Sequence, residues 1–361
     1  MLQRSRPLFS KRLIILLAWG LLILGTLVWL TSLQESQEKK ALRIFSWSDT
    51  LSSDILKKFE EESGIKVHID YYASNEELIV KLKNMTSQSY DLIIPSDYAI
   101  AMLIEQDLLQ PLDKSQLTFL KDINPVLLGH DYDPSNAYSL PLEWDVYGFG
   151  IDQDVFKDSD KINFSWDHLF NDDVINYKVA MTNDPVDAIG LAACYLFGKK
   201  KSLSEKEILA VKRLLIDQKK HVEAYAVPRA DYVLGSKNAA LALSLSAYIL
   251  RSKTDFPFMK FVVPKDKTFI SIENTAIPKN SSRAEDVYTL LNFLYRPENL
   301  SSTCNVFELF PATLSAMEFC DTKEDALEIS KKIQEPHYEL FFSRHLMPEK
   351  TLRTLWVEIK S

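Results

Sequence analysis

The sequence predicts an α/β protein of two units, each built from strands that alternate with helices. Three observations lead to this prediction. Short apolar strands and amphipathic helices alternate along most of the chain, which implies crossover connections and largely parallel sheets. Residues 41–361 are enough for two ordinary domains. A long extended stretch over 138–151 lies between two such regions, and we interpret it as the crossing from one lobe into the other.

The first 40 residues are expected to lie outside the globular part of the chain. Four basic residues precede an apolar run over 13–30, which is about long enough to cross a bilayer. This pattern is typical of an export signal or of a single membrane helix, and with either one the rest of the chain is exported. Because the run is longer than the core of most cleaved signals, we expect an uncleaved N-terminal anchor, with a cleaved signal peptide as the alternative. Polar residues 34–40 then form a short tether.

In the first unit, helix signals separate three predicted strands. Ile55, Leu56 and Phe59 have the spacing of one buried helix face, and Gly64 is a C-cap. Ser74 caps the next helix. The predicted elements are strand 43–47, helix 54–63, strand 65–71, helix 75–84 and strand 92–95.

The second unit repeats the alternation, and the chain then returns to the first. Its predicted elements are helix 166–170, strand 179–182, helix 188–196, helix 204–220 and strand 239–245. Strands over 261–263, 269–272 and 275–277 form the return, and helices over 284–294, 323–333 and 349–359 close the chain. The lysines at 199–201 and on the helix that follows them are expected to form a solvated face.

The stretch Asp91-Leu-Ile-Ile-Pro-Ser-Asp-Tyr98 leads from a buried strand into a helix. Proline ends the strand because it cannot continue a central ladder. Ser96, Asp97 and Tyr98 therefore come to the strand end where open α/β sheets bind their ligands. A hydroxyl, a carboxylate and a phenol suit a small polar ligand with positive charge. The alternative is a turn in which Ser96 or Asp97 only caps the next helix.

Composition and motifs argue against several classes of function. After position 40 the chain has 36 Lys and Arg against 48 Asp and Glu, a net charge of −12. This balance argues against a nucleic-acid partner; it is compatible with a cationic ligand and equally with surface solubility alone. The sequence contains no GxSxG, HExxH or GxGxxG motif and no phosphate-cradling loop, and its six histidines lie far apart. We therefore expect no enzyme, no metal and no cofactor.

The three cysteines are scattered along the chain, without a CxxC motif or metal-ligand spacing. Cys304 and Cys320 either pair in an oxidising compartment or are buried as small hydrophobic residues. The second interpretation is favoured.

Taken in order, several motifs resemble those of the spermidine/putrescine-binding proteins of bacterial ABC importers. The motifs are Trp47, Glu60-Glu-Glu-Ser-Gly-Ile-Lys-Val67, Ser74-Asn-Glu-Glu77, Asp91-Leu-Ile-Ile-Pro-Ser96, Gln110-Pro-Leu-Asp-Lys-Ser115, Tyr138-Ser-Leu-Pro141, Thr275-Ala-Ile-Pro278 and Leu291-Asn-Phe-Leu-Tyr-Arg-Pro297. The resemblance covers nearly everything after residue 41. It implies a two-lobed periplasmic-binding-protein fold (type II), whose cleft closes on the ligand by a hinge motion. We place lobe 1 at 41–146 with 271–313, and lobe 2 at 147–270 with 314–361.

The resemblance also implies a site for a cation between the lobes. A polyamine carries ammonium groups that need carboxylates when they leave water, and methylenes that pack against aromatic walls. The residues in matching positions are Trp47, Ser48, Asp49, Ser96, Tyr98, Asp184, Asp187 and Glu273. Asp184 and Asp187 match two acids of the family, and Glu273 stands where the family has an aspartate that pairs with an amine. The local sequence by itself indicates helix capping by Asp184, followed by Pro185 in the first turn, and the two roles are compatible.

The aromatic wall is where this sequence departs from the family. Thr50 stands in place of a tyrosine, and Leu243 and Ser271 stand in place of tryptophans. The candidates to refill the space are Trp144, Tyr147, Phe269 and Tyr248. Glu143, next to the hinge, is a candidate for a further acid in the cleft, with an exposed or purely structural position as the alternative.

We therefore expect an exported, monomeric solute-binding subunit that is periplasmic or tethered to the inner membrane by its N-terminal helix. The expected ligand is a polyamine or a related organic cation, which the protein delivers to an ABC permease and its ATPase. The alternative is the same fold binding a different amine or an amino acid, with a role as a membrane-tethered sensor included in this alternative. An enzyme built on this fold is the least favoured reading.

Overall fold

The structure, a computed structural model, describes residues 16, 17, 19, 21–26, 41–84, 90–226, 229–335, 337–342 and 344–361. Half of the expected anchor over 13–30, and all of the tether at 34–40, lie outside these residues. None of the helices in the described part is both long and apolar enough to cross a membrane.

The first sheet begins with three parallel strands in the predicted places. Strand β1 (Leu42–Ser46) lies between β2 (Val67–Tyr71) and β3 (Leu92–Ile94). The helices of this part are α1 (Ser53–Ser63), α2 (Asn75–Asn84) and α3 (Asp97–Glu105). Ser52 accepts the Ile55 N–H at 3.3 Å and so begins α1, while Gly64, at a φ of 72°, ends it in a left-handed conformation that glycine adopts without strain.

Two long antiparallel strands, β4 (Ser139–Asp152) and β9 (Lys267–Ala276), join the two halves of the molecule. The first part of β4 pairs with β9, and its second part pairs with β7 (Leu241–Leu245) and β8 (Met259–Val262). Strand β4 therefore belongs to both sheets, as expected for a crossing strand. The extended stretch predicted over 138–151 forms one continuous strand.

The second sheet is again parallel in its centre. Strand β5 (Val179–Met181) lies between β7 and β6 (Val222–Tyr225). The helices around it are α4 (Asp167–Phe170), α5 (Pro185–Phe197), α6 (Glu205–Gln218), α7 (Ala230–Gly235) and α8 (Ser246–Ser252). Helix α6 begins with a capping box, in which Ser204 and Glu207 each bind the other's backbone N–H.

The C-terminal third returns to both halves. Its elements are α9 (Ala284–Leu294), α10 (Pro297–Phe307), β10 (Phe310–Pro311), α11 (Leu314–Met317), α12 (Lys323–Ile333), β11 (Glu339–Phe341) and α13 (Glu349–Lys360). Ile329 and Ile333 of α12 pack in one hydrophobic cluster with Ile100 of α3, whereas Trp356 of α13 packs with Leu215 of α6. The lobe boundaries stay a prediction, and these contacts set α12 against the first half of the molecule and α13 against the second.

All three cysteines are free and buried. Burial raises the pKa of the Cys320 thiol to about 12, and its Sγ donates to the Ala316 carbonyl at 3.6 Å. Cys194, Cys304 and Cys320 are thus small buried residues in this structure, as favoured from the sequence.

Candidate functional site

A cavity of about 290 Å³ lies between the two sheets, where β4 and β9 cross from one to the other. We call it the cleft. The predicted residues that line it are Trp47, Asp49, Thr50, Ser96, Tyr98, Glu143, Trp144, Asp184, Asp187, Ser271 and Glu273. They come from both halves of the chain and meet at one space, although they lie up to 226 positions apart in the sequence.

The loop after β3 contributes to the cleft as the sequence indicated. The Ser96 hydroxyl lies 2.8 and 3.1 Å from the two carboxylate oxygens of Glu273, and the two residues also form an isolated antiparallel bridge. Ser96 occupies the N-cap position of α3 without a side-chain capping bond. Its hydroxyl is therefore used on the cleft side and not for capping. The Tyr98 hydroxyl donates to Glu76 Oε1 at 3.3 Å.

One face of the crossing strands carries most of the acids. Along β4, Leu142, Trp144 and Val146 belong to the hydrophobic clusters. The residues between them are Glu143, Asp145 and Tyr147, and all three line the cleft. Side chains alternate along a strand, so these three project from the same face. The facing positions on β9 are Ser271, opposite Asp145, and Glu273, opposite Glu143.

The start of α5 supplies the acids of the second half. Asp184 is the N-cap residue and accepts the N–H groups of Val186 and Asp187 at 2.7 and 3.2 Å. The capping role inferred from the local sequence is thus present, and the Asp184 side chain also lines the cleft. Asp187 accepts a hydrogen bond from the Tyr147 hydroxyl. This bond links the α5 acid to the crossing strand.

The aromatic lining differs from what the resemblance implies. Trp47, Tyr98, Trp144, Tyr147 and Tyr248 line the cleft, whereas Phe269 packs against Phe341 in the core. Small hydroxyl side chains occupy positions 50 and 271 in the lining. The wall thus keeps aromatic side chains, with three tyrosines among them.

Two of the predicted residues are not part of the lining. Ser48 is exposed in the turn after β1. Leu243 is 2% exposed and lies opposite Phe149 in the core. The next pair on the same face of these strands, Leu245 and Tyr147, does line the cleft. The lining residue of β7 is therefore Leu245.

The cleft is strongly acidic. Among the residues that the structure describes, eight carboxylates line it, and Arg251 is the one Lys or Arg in the lining. Asp145 is a structural acid, since it accepts the backbone N–H groups of Val146, Ser246 and Ala247 as well as the Ser246 hydroxyl. A cavity with this excess of negative charge attracts cations and repels anions.

Burial holds several of these acids partly protonated. It raises the pKa of Glu273 to about 8, which the Ser96 hydrogen bond counteracts and the neighbouring charges of Asp97 and Asp49 reinforce. The pKa of Asp97 rises to about 7 for the same main reason, although its carboxylate accepts the Ile272 N–H at 2.9 Å. The removal of these carboxylates from water is thus the main cause of both shifts in pKa.

These raised values predict how the stability of the ligand-free protein depends on pH. A carboxyl whose pKa is higher in the folded than in the unfolded chain binds more protons when folded, so folding weakens as pH rises through the folded pKa. We expect the melting temperature of the ligand-free protein to fall by roughly 2–4 °C between pH 7 and pH 9. The measurement is made above pH 7 to avoid the titration of His130 and His168. Burial lowers the pKa of both histidines, so their titration makes folding more stable as pH rises, opposite to the effect of the carboxyls.

The control for this prediction is Glu273→Gln, which removes the group that titrates near pH 8. Calorimetric melts of both proteins at pH 7 and pH 9 make the comparison. A fall of equal size in the two proteins contradicts the assignment to Glu273.

Two acids of the cleft, Glu76 and Asp145, were not among the predicted ligand residues. The alternation of apolar and polar residues over 142–147 was the signal available for Asp145. Asp97 stands in the predicted loop but is 2% exposed and bound to the β9 backbone. Glu76 comes from the first turn of α2, and the pattern of residues in this helix does not indicate that the turn faces the cleft.

Comparison with known proteins gives a consistent answer. The family model described as bacterial extracellular solute-binding protein matches residues 54–331 of this chain. The spermidine/putrescine-binding periplasmic protein of Salmonella typhimurium is 30% identical over 285 residues, which are 78% of this chain and 79% of that protein. The putrescine-binding periplasmic protein of Pseudomonas aeruginosa is 28% identical over 351 residues, 91% of this chain and 94% of that protein.

Among solved structures, the spermidine/putrescine ABC transporter substrate-binding protein of Streptococcus pneumoniae is similar to this chain with a TM-score of 0.76. The two are 24% identical, and the match covers 89% of this chain and 98% of that one. The similarity shows a shared fold, and the predicted two-lobed architecture is confirmed.

Proposed function

This chain belongs to the bacterial extracellular solute-binding protein family, as its motifs predicted, and we propose that it captures a polyamine in its cleft for an ABC importer. The family is one of solute-binding proteins and not of enzymes. In this proposal the protein works outside the cytoplasm, as a monomer, and hands the ligand to a permease and its ATPase. The N-terminal segment serves as its tether to the inner membrane.

The observation that carries the proposal is the convergence of carboxylates from both halves of the chain on one cavity. Glu273 lies on β9 beside Ser96, and Asp184 and Asp187 lie at the start of α5. A polyamine needs separated negative poles, because each ammonium that leaves water costs several kcal/mol unless a carboxylate and hydrogen bonds replace its hydration. The three acids supply such poles at two places in the cleft.

The aromatic side chains between these poles suit the rest of the ligand. Trp47 lies against Tyr72 with ring centroids 4.5 Å apart, and its face borders the same space as Tyr98 and Tyr147. Aromatic faces attract ammonium groups and pack against methylenes, with about 0.5–2 kcal/mol per cation contact. Tyr147 also fixes the Asp187 carboxylate by its hydrogen bond.

Direct binding tests this proposal. The full-length protein is expected to bind putrescine or spermidine in isothermal titration calorimetry with a Kd in the micromolar range or below. Its melting temperature is expected to rise with polyamine concentration, since a ligand that binds only the folded state stabilises it.

The matched control ligand is n-butylamine, which has the same chain as putrescine but a single ammonium. It is expected to bind at least about 30-fold more weakly, because one of the two acidic poles then stays unpaired. γ-Aminobutyrate has a carboxylate in place of the second aminomethyl group of putrescine and is expected not to bind. A protein that responds to neither putrescine nor spermidine would refute the proposed function.

A further inference from the structure

Glu143 differs from the other enclosed acids of the cleft in its hydrogen bonding. Its side chain is 0% exposed, and within the described part of the chain neither carboxylate oxygen accepts a hydrogen bond of good geometry, although the Thr50 hydroxyl lies nearby. The other enclosed acids differ in this respect: Asp145 accepts from three backbone N–H groups, Asp97 from one, and Glu273 from the Ser96 hydroxyl.

The strand geometry shows where this carboxylate lies. Glu143 is the direct cross-strand neighbour of Glu273, and both residues line the cleft. Directly opposite residues in an antiparallel pair have Cβ atoms about 4.5–5.5 Å apart, and like charges at this spacing repel each other. Thr50 and Ser271, both small, border the same part of the cleft, and the Ser271 hydroxyl lies 3.4 Å from Glu273 Oε1. No bulky side chain from these two positions fills the space beside the pair.

A buried carboxyl group without a partner has two ways to avoid an uncompensated charge. It binds a proton, or it binds a cation that enters the site. Glu143 faces Glu273 in a cavity that admits solutes, so Glu143 is expected to pair with a cation when a ligand is bound and to hold a proton when none is.

We propose that Glu143 is a ligand-binding residue that determines specificity, and that with Glu273 it holds one terminal ammonium of the ligand. In the empty protein Glu143 carries a proton. When the ammonium enters, that proton leaves to the solvent and the ion pair takes its place, so the charge of the enclosed site stays balanced. This inference rests on the proposed function and adds to it the ammonium-for-proton exchange at Glu143.

The surroundings of Glu143 favour the protonated form in the empty protein. The titratable groups that face it are Glu273 on β9, Asp49 after β1, Asp145 on β4, Tyr295 after α9 and Cys304 on α10. These are acids, a phenol and a thiol. Burial raises the pKa of Glu143 well above its ordinary value, the neighbouring carboxylates raise it further, and the Thr50 hydroxyl counteracts this in part.

The test is calorimetry on the full-length protein and its Glu143→Gln variant with putrescine at pH 7, in two buffers of different ionisation enthalpy. The amide has the size of the acid but can neither release a proton nor pair with an ammonium. We expect Glu143→Gln to bind putrescine about 10–100-fold more weakly. We also expect it to release about one proton fewer per ligand bound than the unaltered protein.

Glu61→Gln is the matched control, because the Glu61 side chain is 68% exposed on α1, and it is expected to leave both quantities unchanged. Glu143→Gln with unchanged affinity overturns the inference, and so does weaker binding without a fall in proton release, which indicates a structural role. If the unaltered protein binds putrescine and Glu143→Gln binds it equally well, the inference alone fails. If the unaltered protein binds no polyamine, the proposed function fails, and the inference fails with it.

Discussion

Glu273→Gln is expected to weaken putrescine binding by about 100-fold. Neutralising one partner of a buried, hydrogen-bonded charge pair costs about 2–5 kcal/mol, because the other charge is then left uncompensated. The amide keeps the size of the side chain and can still bond to the Ser96 hydroxyl, which lies 2.8 Å from Glu273 Oε1. The loss therefore reports the missing charge and not a collapsed site. Isothermal titration calorimetry measures this loss of affinity at pH 8.5, a pH at which most of the Glu273 carboxyl is ionised.

The exposed acid Glu61 again provides the control, since Glu61→Gln changes a residue of the same type outside the cleft. The ligand-free Glu273→Gln protein is expected to melt no lower than the unaltered protein at this pH, because it lacks an enclosed carboxylate that destabilises the fold. An affinity within two-fold of the unaltered protein would show that no ammonium pairs with Glu273.

Asp187→Asn is expected to weaken putrescine binding by about 30-fold, the second largest effect. Asp187 lines the cleft from the third position of α5 and accepts a hydrogen bond from the Tyr147 hydroxyl. Asparagine keeps an acceptor for Tyr147 and removes the charge. The N-cap bonds of α5 are made by Asp184 and stay intact, so the start of the helix is preserved.

Asp184→Asn extends this experiment, because asparagine is an equally good N-cap residue and the change removes only the charge. Asp255→Asn, at an exposed aspartate, is the control. Calorimetry with putrescine compares the four proteins. If Asp187→Asn and Asp184→Asn both bind as tightly as the control, the second acidic pole lies elsewhere, and α5 has only its structural role.

Most regular elements with a strong local pattern were predicted within a few residues. Helix α1 has its apolar stripe, its N-cap Ser52 and its C-cap Gly64 in the sequence itself, and α9 was predicted with its observed bounds, 284–294. The missed elements are short or lack periodicity, such as β6, α7 and α8. Local propensity does not specify such elements, since their stability comes from the neighbours against which they pack.

The position of Leu243 shows a different limit. Matching it to an expected aromatic placed it in the cleft, but the register of β7 against β4 sets it beside Phe149 in the core. A shift of two residues along β7 moves a side chain from the core to the cleft. A strand advances about 3.3 Å per residue, and β7 reaches the cleft only at its end. The sequence carries no marker of the depth at which a strand end emerges.

The two-lobed fold, the crossing strands and most acids of the cleft could be predicted from the amino-acid sequence, because strand periodicity and family motifs are local properties of the chain. The role of each acid became visible only in the three-dimensional structure. Asp145 is bound by backbone N–H groups, Asp184 caps a helix, and Glu143 lies unpartnered opposite Glu273. These differences depend on the register between β4 and β9 and on the hydrogen-bond donors that reach each carboxylate, and both arise from contacts between segments far apart in the chain.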